Sequence, residues 1–199
     1  STEINVARAT YLDDPWTFLD CPGSVELAWE AQTALLAADV AVVVCEPEIE
    51  RALTLAPLFK FLDDHEIPHM VFVNKMDTAA ARVSEVLAAL QSVSQRPLVL
   101  RQVPMPGPET ATTGYVDLVS ERAYRYKPVH ASEQVPLDRA AADTAEARRQ
   151  LLEKLSDFDD TLLEKLLEDI VPERGEVYRH LTKDLREDLI VPVLIGSAE

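Results

Sequence analysis

The sequence Met70-Val71-Phe72-Val73-Asn74-Lys75-Met76-Asp77 carries the strongest structural pattern in this chain. Its apolar half is short and ends abruptly at polar residues, which predicts a buried β-strand followed by a loop. Open α/β sheets bind their ligands beyond the carboxyl ends of such strands. The four residues Asn74–Asp77 are therefore expected to form part of a binding loop.

The side chains of this loop match the hydrogen-bonding edge of guanine. Guanine presents two adjacent donors, N1–H and the exocyclic amine, and the carboxylate of Asp77 can accept both in a bidentate pair. Adenine lacks this donor pair, so a buried Asp77 would be left unpaired against adenine. Asn74 can tie the loop to its neighbours, and the stem of Lys75 can lie along the face of the base. The alternative is a polar turn in which Asp77 caps the next helix.

Composition bounds the class of protein. The chain has 199 residues, of which 47% are hydrophobic and 27% charged, as expected for one globular domain with or without an insert. It has no apolar run near the roughly 18–20 residues of a membrane span, and no basic, apolar leader, so we expect neither membrane association nor secretion. Because it does not begin with Met, we expect a processed chain or a fragment.

Charge and cysteine content narrow the partners and the compartment. The net charge of −16 argues against direct DNA binding and against general nucleic-acid affinity. An acidic surface serves solubility or forms a docking face for a basic partner. Cys21 and Cys45 have no disulfide-framework spacing, which favours a reducing compartment and hence the cytoplasm.

The first half of the chain alternates between strand and helix patterns. Ile4–Leu12 and Trp16–Asp20 predict a hairpin with a turn at Asp13–Pro15. Val40–Cys45 is a continuous apolar run, which predicts a parallel strand covered on both faces. Helical patterns cover Ser24–Ala38, Arg51–His65 and Thr78–Val93. This alternation predicts a parallel sheet with right-handed crossovers.

The second half changes in character after a strand predicted over Pro97–Pro104. Pro104–Gly114 is rich in Pro, Gly and Thr and predicts a flexible connection. Tyr115–Val119 and Glu121–Pro128 predict an antiparallel pair of strands, and Val129–Pro136 predicts a loop. Helices are expected over Asp138–Ser156, Asp159–Glu168 and Gly175–Leu189, followed by a strand over Ile190–Ile195.

Three loops that each follow an apolar strand occur in a set order. They are Asp20-Cys21-Pro22-Gly23, Asn74-Lys75-Met76-Asp77 and Gly196-Ser197-Ala198. This ordered set resembles the guanine-nucleotide-binding domain of translational GTPases. The long gap between the second and third loops is similar to that of elongation factor G, which has an insert there. The resemblance covers essentially the whole chain and is closest to the elongation factor G-like proteins.

The resemblance implies an α/β fold with a mostly parallel three-layer sheet of the P-loop GTPase type and an α+β insert. Residues 1–104 with 190–199 would form an incomplete nucleotide-binding domain, and 105–189 the inserted subdomain. The five glycines do not build the phosphate-binding loop Gly-x-x-x-x-Gly-Lys-Thr/Ser, so that loop and the first strand are expected upstream of Ser1. A slot left between the Asp20 strand and the Val40–Cys45 strand would permit self-association.

The resemblance implies the guanine-binding residues and the cofactors. Asn74, Lys75 and Asp77 would recognise the base, and Ser197 and Ala198 would close over it through backbone N–H groups. GTP or GDP and Mg²⁺ are the expected cofactors of the intact protein. Without the phosphate-binding loop, this chain by itself is expected to bind none of them and to be inactive.

The phosphate side contains one departure from the family pattern. Asp20 would hold Mg²⁺ through water, and Gly23 would sense the γ-phosphate. Elongation factor G has His directly after this loop, where it orients the attacking water, but here the catalytic position is occupied by Ser24. Ser24 can hydrogen-bond a water molecule but lacks the reach and charge of an imidazole.

Three functional hypotheses follow from these patterns. The first is a fragment of an elongation factor G-like protein that acts in translation on the ribosome by binding and hydrolysing GTP. The second is a guanine-nucleotide-regulated ribosome-binding module with little hydrolysis, because Ser24 replaces the activating His. The third is a flavodoxin-like or other doubly wound domain in which the Asn-Lys-x-Asp sequence is a coincidence. Under the first two, the acidic insert over Met105–Leu189 would meet a ribosomal stalk protein.

Overall fold

A computed structural model of the chain describes residues 3–78, 82–107, 112–127, 130–137 and 143–197. The strands in these residues are β1 Asn5–Tyr11, β2 Asp14–Asp20, β3 Ala41–Cys45, β4 His69–Val73, β5 Leu98–Leu100, β6 Gln102–Pro106, β7 Thr112–Asp117, β8 Arg122–Lys127, β9 His130–Val135 and β10 Val191–Ile195. The helices are α1 Ala28–Leu35, α2 Ile49–Thr54, α3 Ala56–Asp64, α4 Val83–Val93, α5 Asp143–Ser156, α6 Asp160–Leu167 and α7 Arg174–Arg186.

The central sheet is parallel, with strand order β3-β4-β10-β5. Val71 of β4 is in register with Val43 on one side and Val193 on the other. Phe59 and Leu90, from α3 and α4, are fully buried in the same core. Each fully buried side chain of this size contributes about 1.5–3 kcal/mol relative to exposure. The predicted α/β fold with a mostly parallel sheet is confirmed.

The insert has its own antiparallel sheet, with strand order β6-β7-β8-β9, and is completed by α5, α6 and α7. Its core includes Leu118, Leu155 and Val177, all fully buried. Gln102 joins this sheet to the parallel sheet, because its Oε1 accepts a hydrogen bond of 2.9 Å from the backbone N–H of Ile195. The insert is therefore anchored directly beside the end of β10.

Two predictions for the insert are wrong. The loop predicted over Val129–Pro136 contains β9, which pairs with β8 through a bulge. Its sequence is mostly polar, so backbone pairing at the sheet edge forms the strand without an apolar period. The flexible connection predicted over Pro104–Gly114 overlaps the end of β6 and the start of β7, while residues 108–111 lie outside the described residues. Residues 138–142 of the predicted helix over Asp138–Ser156 also lie outside them.

Two corrections concern the first half of the chain. The helix predicted over Arg51–His65 is divided at Leu55 into α2 and α3, because Pro57 lies in the first turn of α3 and has no N–H to continue a helix. The hairpin turn lies at Leu12 and Asp13, one residue earlier than predicted. Both have positive φ, 52° and 67°, which is the backbone that a tight two-residue hairpin loop requires.

The expectation that the Val40–Cys45 strand is covered on both faces is also wrong. Within the described residues β3 is an edge strand paired only with β4, and Val42 and Val44 are 55% and 59% exposed. The β1–β2 hairpin forms a separate two-stranded sheet and does not extend the parallel sheet. The described helices include none that is long and apolar enough to cross a membrane.

Candidate guanine-nucleotide site

The carboxyl ends of β3, β4 and β10 lie at one edge of the parallel sheet, and backbone hydrogen bonds connect the loops that follow them. The N–H of Asn74 donates to the carbonyl of Cys45 over 2.8 Å. The N–H of Gly196 donates to Val73 over 2.9 Å, and the carbonyl of Gly196 accepts from Met76 over 3.1 Å. These bonds place the Asn74–Asp77 loop and the Gly196–Ser197 loop side by side.

Asp77 is oriented by Ser197, which lies 120 residues away in the sequence. Asp77 lies in a short 3-10 turn, Met76–Thr78, and is half-buried. The hydroxyl of Ser197 donates a hydrogen bond to Oδ1 of Asp77. A carboxylate has about four acceptor positions on its two oxygens, so this bond leaves capacity for two further donors. The arrangement can accept the N1–H and the exocyclic amine of a guanine base.

Lys75 is held across the loop by Glu46, a contact that the sequence analysis did not predict. Lys75 has a left-handed backbone, with φ of 58°, and its Nζ donates to Oε1 of Glu46. This hydrogen bond, followed by the charge of Lys75, lowers the pKa of the Glu46 carboxyl. The available signal was the position of Glu46 immediately after β3. The ion pair ties the Asn74–Asp77 loop to the segment that follows β3.

Gly196 packs directly against the neighbouring strand β4. A Cβ atom built on Gly196 would lie 2.5 Å from Cζ of Phe72, on the neighbouring strand β4. Carbon atoms in favourable contact are about 3.5–4.0 Å apart. The absence of a side chain at this position therefore permits the close packing that brings Ser197 to Asp77.

The insert borders this loop, which the sequence analysis also did not predict. Strand β7 packs against the Met76–Thr78 turn. The hydroxyl of Tyr126, on β8, is buried and has no hydrogen-bond partner among the described residues. Burial raises the pKa of Tyr126, with smaller contributions from Tyr115 and from the charge of Asp77. No short-range sequence pattern could indicate this contact, because the turn and β8 are far apart in the sequence.

The candidate phosphate-side residues lie at and just after the end of the β1–β2 hairpin. Asp20 ends β2 and is exposed, and a Cβ on Gly23 would meet nothing within 4 Å. Ser24 precedes a short 3-10 turn, Val25–Leu27, and its side chain makes no capping hydrogen bond. The structure therefore brings Asn74, Lys75, Asp77 and Ser197 together. Asp20, Gly23 and Ser24 belong to the end of the hairpin sheet and the segment that follows it. Ala198 lies outside the described residues.

The residues present fit the base of a guanine nucleotide better than its phosphates. Asp77 supplies the carboxylate that the guanine edge requires, with Ser197 holding it. The described ranges contain no group of three or more His, Cys, Asp or Glu side chains that could hold a metal ion. Asp20 alone supplies one exposed carboxylate, so these residues do not by themselves make a Mg²⁺ site.

Comparison with known proteins agrees with this geometry. The family model described as the elongation factor Tu GTP binding domain matches residues 1–199. An elongation factor G-like protein of Synechocystis is 49% identical over 201 residues, covering 100% of this chain and 30% of that protein. Elongation factor G 2 of Desulfotalea psychrophila is 30% identical over 190 residues, covering 90% of this chain and 26% of that protein.

A solved structure shows the same fold. A crystal structure of a Thermus thermophilus protein superimposes with a TM-score of 0.84 and 22% sequence identity, covering 98% of this chain and 29% of that one. The chain thus spans about a third or less of the relatives that it matches. The family match excludes the unrelated doubly wound domain as an explanation of the Asn-Lys-x-Asp loop. The chain belongs to the elongation factor Tu GTP-binding domain family, and it is similar to the elongation factor G-like protein of Synechocystis.

Proposed function

We propose that the intact protein binds GTP and GDP and acts in translation on the ribosome by GTP hydrolysis. The observation that carries this proposal is the Asp77 carboxylate, held by Ser197 beside the Asn74 loop at the carboxyl edge of a parallel sheet. Asn74, Lys75 and Asp77 would bind the guanine base, with the backbone of Ser197 and Ala198 closing over it. The family assignment supports the same nucleotide.

On the phosphate side, the proposed roles rest on the position of the loop after β2. Asp20 would hold Mg²⁺ through a water molecule, and Gly23 would approach the γ-phosphate through its N–H. A Cβ on Gly23 would meet nothing within 4 Å, so the space beside it is open to a ligand. A phosphate-binding loop elsewhere in the polypeptide would have to complete this side of the site.

A second candidate function is a guanine-nucleotide-regulated ribosome-binding module with little hydrolysis. The observation that favours it is Ser24, whose exposed hydroxyl stands at the position of the family His and lacks an imidazole. A positioned proton-transfer or water-orienting group contributes typically about 10²–10⁴-fold to a rate. The loss of such a group would leave binding intact while slowing turnover.

The partners and the organisation of the protein are proposed on the same basis. The acidic insert would meet a basic stalk protein of the ribosome, and the open edge of β3 would permit self-association. The nucleotide-binding domain would comprise residues 1–104 and 190–199, with 105–189 as the inserted subdomain. A translation factor of this type would work in the cytoplasm.

Single-turnover GTP hydrolysis by the full-length protein, with and without ribosomes, separates the two functions. A ribosome-stimulated rate in the wild type supports the hydrolysis proposal, and the substitution of Ser24→Ala should then lower it. GTP binding without stimulation supports the binding module, and Ser24→His should then raise the rate by about 10-fold or more. Failure to bind GTP in either case would overturn both.

A further inference from the structure

The exposed face of α7 carries a cationic stripe formed by Arg179, Lys183 and Arg186. These residues are spaced four and three positions apart and therefore lie on one side of the helix. They line an open groove of about 590 Å³ together with Tyr178, Thr182 and Glu187. Neither Asn74–Asp77 nor the loop after β2 contributes to this groove, so the cationic stripe is a separate surface.

The cationic stripe has no internal counter-ions among the described residues. Arg179, Lys183 and Arg186 each lack an ion pair within 4.0 Å in the part of the chain that the structure covers. Many other basic side chains have carboxylate partners: Arg51, Lys60, Lys75, Arg96, Arg101, Lys127, Arg148, Arg149 and Lys165. The stripe thus places three cations without ion pairs on one helix face of a chain whose net charge is −16.

The acidic residues of α7 do little to cancel the cationic stripe. Glu176 is paired with Lys165 over 2.6 Å. Asp184 is fully buried on the opposite side of the helix, where burial raises the pKa of its carboxyl and favours the neutral form. Glu187 remains at the groove edge. The stripe spans about 10 Å along the helix, which is close to the Debye length at about 0.1 M salt. Its three charges therefore act together on a nearby anion, whereas salt screens the more distant carboxylates.

The chemistry of this face suits phosphates and a base better than a protein partner. Protein interfaces are anchored by buried apolar or aromatic groups that fill pockets, but the large apolar group on this groove is Tyr178 alone. Tyr178 is 39% exposed, and the guanidinium of Arg101 lies 5.2 Å from the centroid of its ring. Aromatic rings and arginines bind single-stranded nucleic acids by stacking on bases and contacting phosphates.

We propose that the cationic stripe of α7 binds the phosphate backbone of a single-stranded RNA segment, and that the part of the Tyr178 ring left exposed beside Arg101 contacts a base. This inference rests on the proposed function, because it takes the ribosome as the partner. It adds that one contact with the ribosome is made to RNA. It is compatible with the lack of general nucleic-acid affinity expected from the net charge of −16, since the stripe is a local feature of α7.

Fluorescence anisotropy tests this surface. The full-length protein is titrated into a labelled single-stranded RNA of about 12 nucleotides, at several KCl concentrations between about 50 and 300 mM. The test variant is Arg179→Glu/Lys183→Glu/Arg186→Glu. The matched control is Arg8→Glu/Arg122→Glu/Arg174→Glu, which carries the same net charge but changes three exposed cations that lie on separate elements outside the groove. The unfolding temperature and GDP affinity of each variant report on folding and on the nucleotide site.

Each phosphate contact on a single strand contributes roughly 0.7 to the slope of log affinity against log salt concentration. With three such contacts, the slope should be about 2 units steeper for the wild type than for the stripe variant. At about 0.1 M salt this corresponds to about 100-fold weaker binding by the stripe variant. The control is expected to retain most of the wild-type affinity. A conservative Arg179→Lys/Arg186→Lys variant should retain the salt slope.

Four outcomes would overturn the inference. They are no RNA binding by the wild type, equal binding by the stripe variant, equal weakening in the control, and tighter stripe-dependent binding of poly-glutamate than of RNA. The last result would assign an acidic protein segment to this face. Stripe-dependent RNA binding without any GDP binding would uphold this inference and overturn the proposed function, so the two failures are distinguishable.

Discussion

Replacing Gly196 with Ala is expected to separate the two loops that form the candidate base site. The added Cβ would lie 2.5 Å from Cζ and 3.1 Å from Cε2 of Phe72. Restoring ordinary contact requires the ring or the loop to move by about 1 Å. Since Gly196 bonds to both Val73 and Met76, this movement would be transmitted to the turn that carries Asp77.

The magnitude follows from overpacking and from the bonds placed at risk. Inserting a methyl group into a packed site costs about 1–3 kcal/mol, and a weakened backbone hydrogen bond adds about 0.5–1.5 kcal/mol. We therefore expect the free energy of unfolding to fall by about 2 kcal/mol, which lowers Tm by about 4–8 °C in a domain of this size. GDP affinity is expected to fall about 10-fold, since misorienting the Asp77 carboxylate loses part of a charge-assisted pair.

The chain offers a matched control in Gly175, which lies on the exposed side of α7. A Cβ on Gly175 would be 3.8 Å from its nearest neighbour, an Arg179 guanidinium nitrogen. Because the backbone of Gly175 does not have positive φ, Gly175→Ala should stabilise the protein by about 0.4–1 kcal/mol. The assay is thermal unfolding and GDP titration of both variants in the full-length protein. Opposite signs for the same chemical change would show that the space beside Gly196 decides the effect.

A double-mutant cycle tests the stated cause. Phe72→Leu shortens the side chain that the new Cβ would meet, so combining it with Gly196→Ala should recover about 1 kcal/mol relative to the sum of the single changes. Strictly additive effects would refute the steric reasoning. Wild-type stability and GDP affinity in Gly196→Ala alone would also refute it.

Three further predictions concern other groups. Ser197→Ala is expected to weaken GDP binding about 10-fold, because a hydrogen bond to a charged group contributes about 1.5–3 kcal/mol. Calorimetric titration measures the affinity, and an unchanged value would show that the hydroxyl does not orient Asp77. Both carboxylate oxygens of Asp184 lack partners among the described residues, and burial raises the pKa of this carboxyl. Its cost to stability therefore grows as pH rises from the ordinary Asp pKa towards the raised one and is fully present above that. Asp184→Asn should stabilise by about 1 kcal/mol at about pH 7 and by less near about pH 4 in urea unfolding, and an equal gain at both would contradict this. Burial raises the pKa of Cys45 to about 11, so about one Cys45 thiol in a thousand is ionised at about pH 8. Iodoacetamide should therefore label the less buried Cys21 first, as followed by mass spectrometry. Faster labelling of Cys45 would contradict its burial.

Features carried by contiguous apolar sequence were predictable. The buried strand predicted from the apolar run that ends at Val73 is β4, His69–Val73, because a strand buried in a parallel sheet has few polar positions. The contact between Ser197 and Asp77 could be predicted only from the family resemblance, together with the rule that parallel strands have their carboxyl ends at one edge of the sheet. The 120 residues between them carry no local signal for the contact.

Features that depend on long-range packing were not predictable. The pairing of Lys75 with Glu46 links residues 29 positions apart in sequence. Strand β9 is formed by edge pairing of a polar segment, and the exposure of Val42 and Val44 follows from the edge position of β3. In each case the tertiary neighbour, which the local pattern does not contain, determines the outcome.

The central claim is that Asp77 makes this site specific for guanine. The most direct test is to titrate the full-length protein with fluorescent GDP and, separately, with fluorescent ADP. Because a site built around buried polar groups rejects a base that leaves them unpaired, we expect GDP to bind about 10⁴-fold more tightly than ADP. Equal binding of the two nucleotides, or binding of neither, would contradict the claim and reduce Asn74–Asp77 to a turn at the end of a strand.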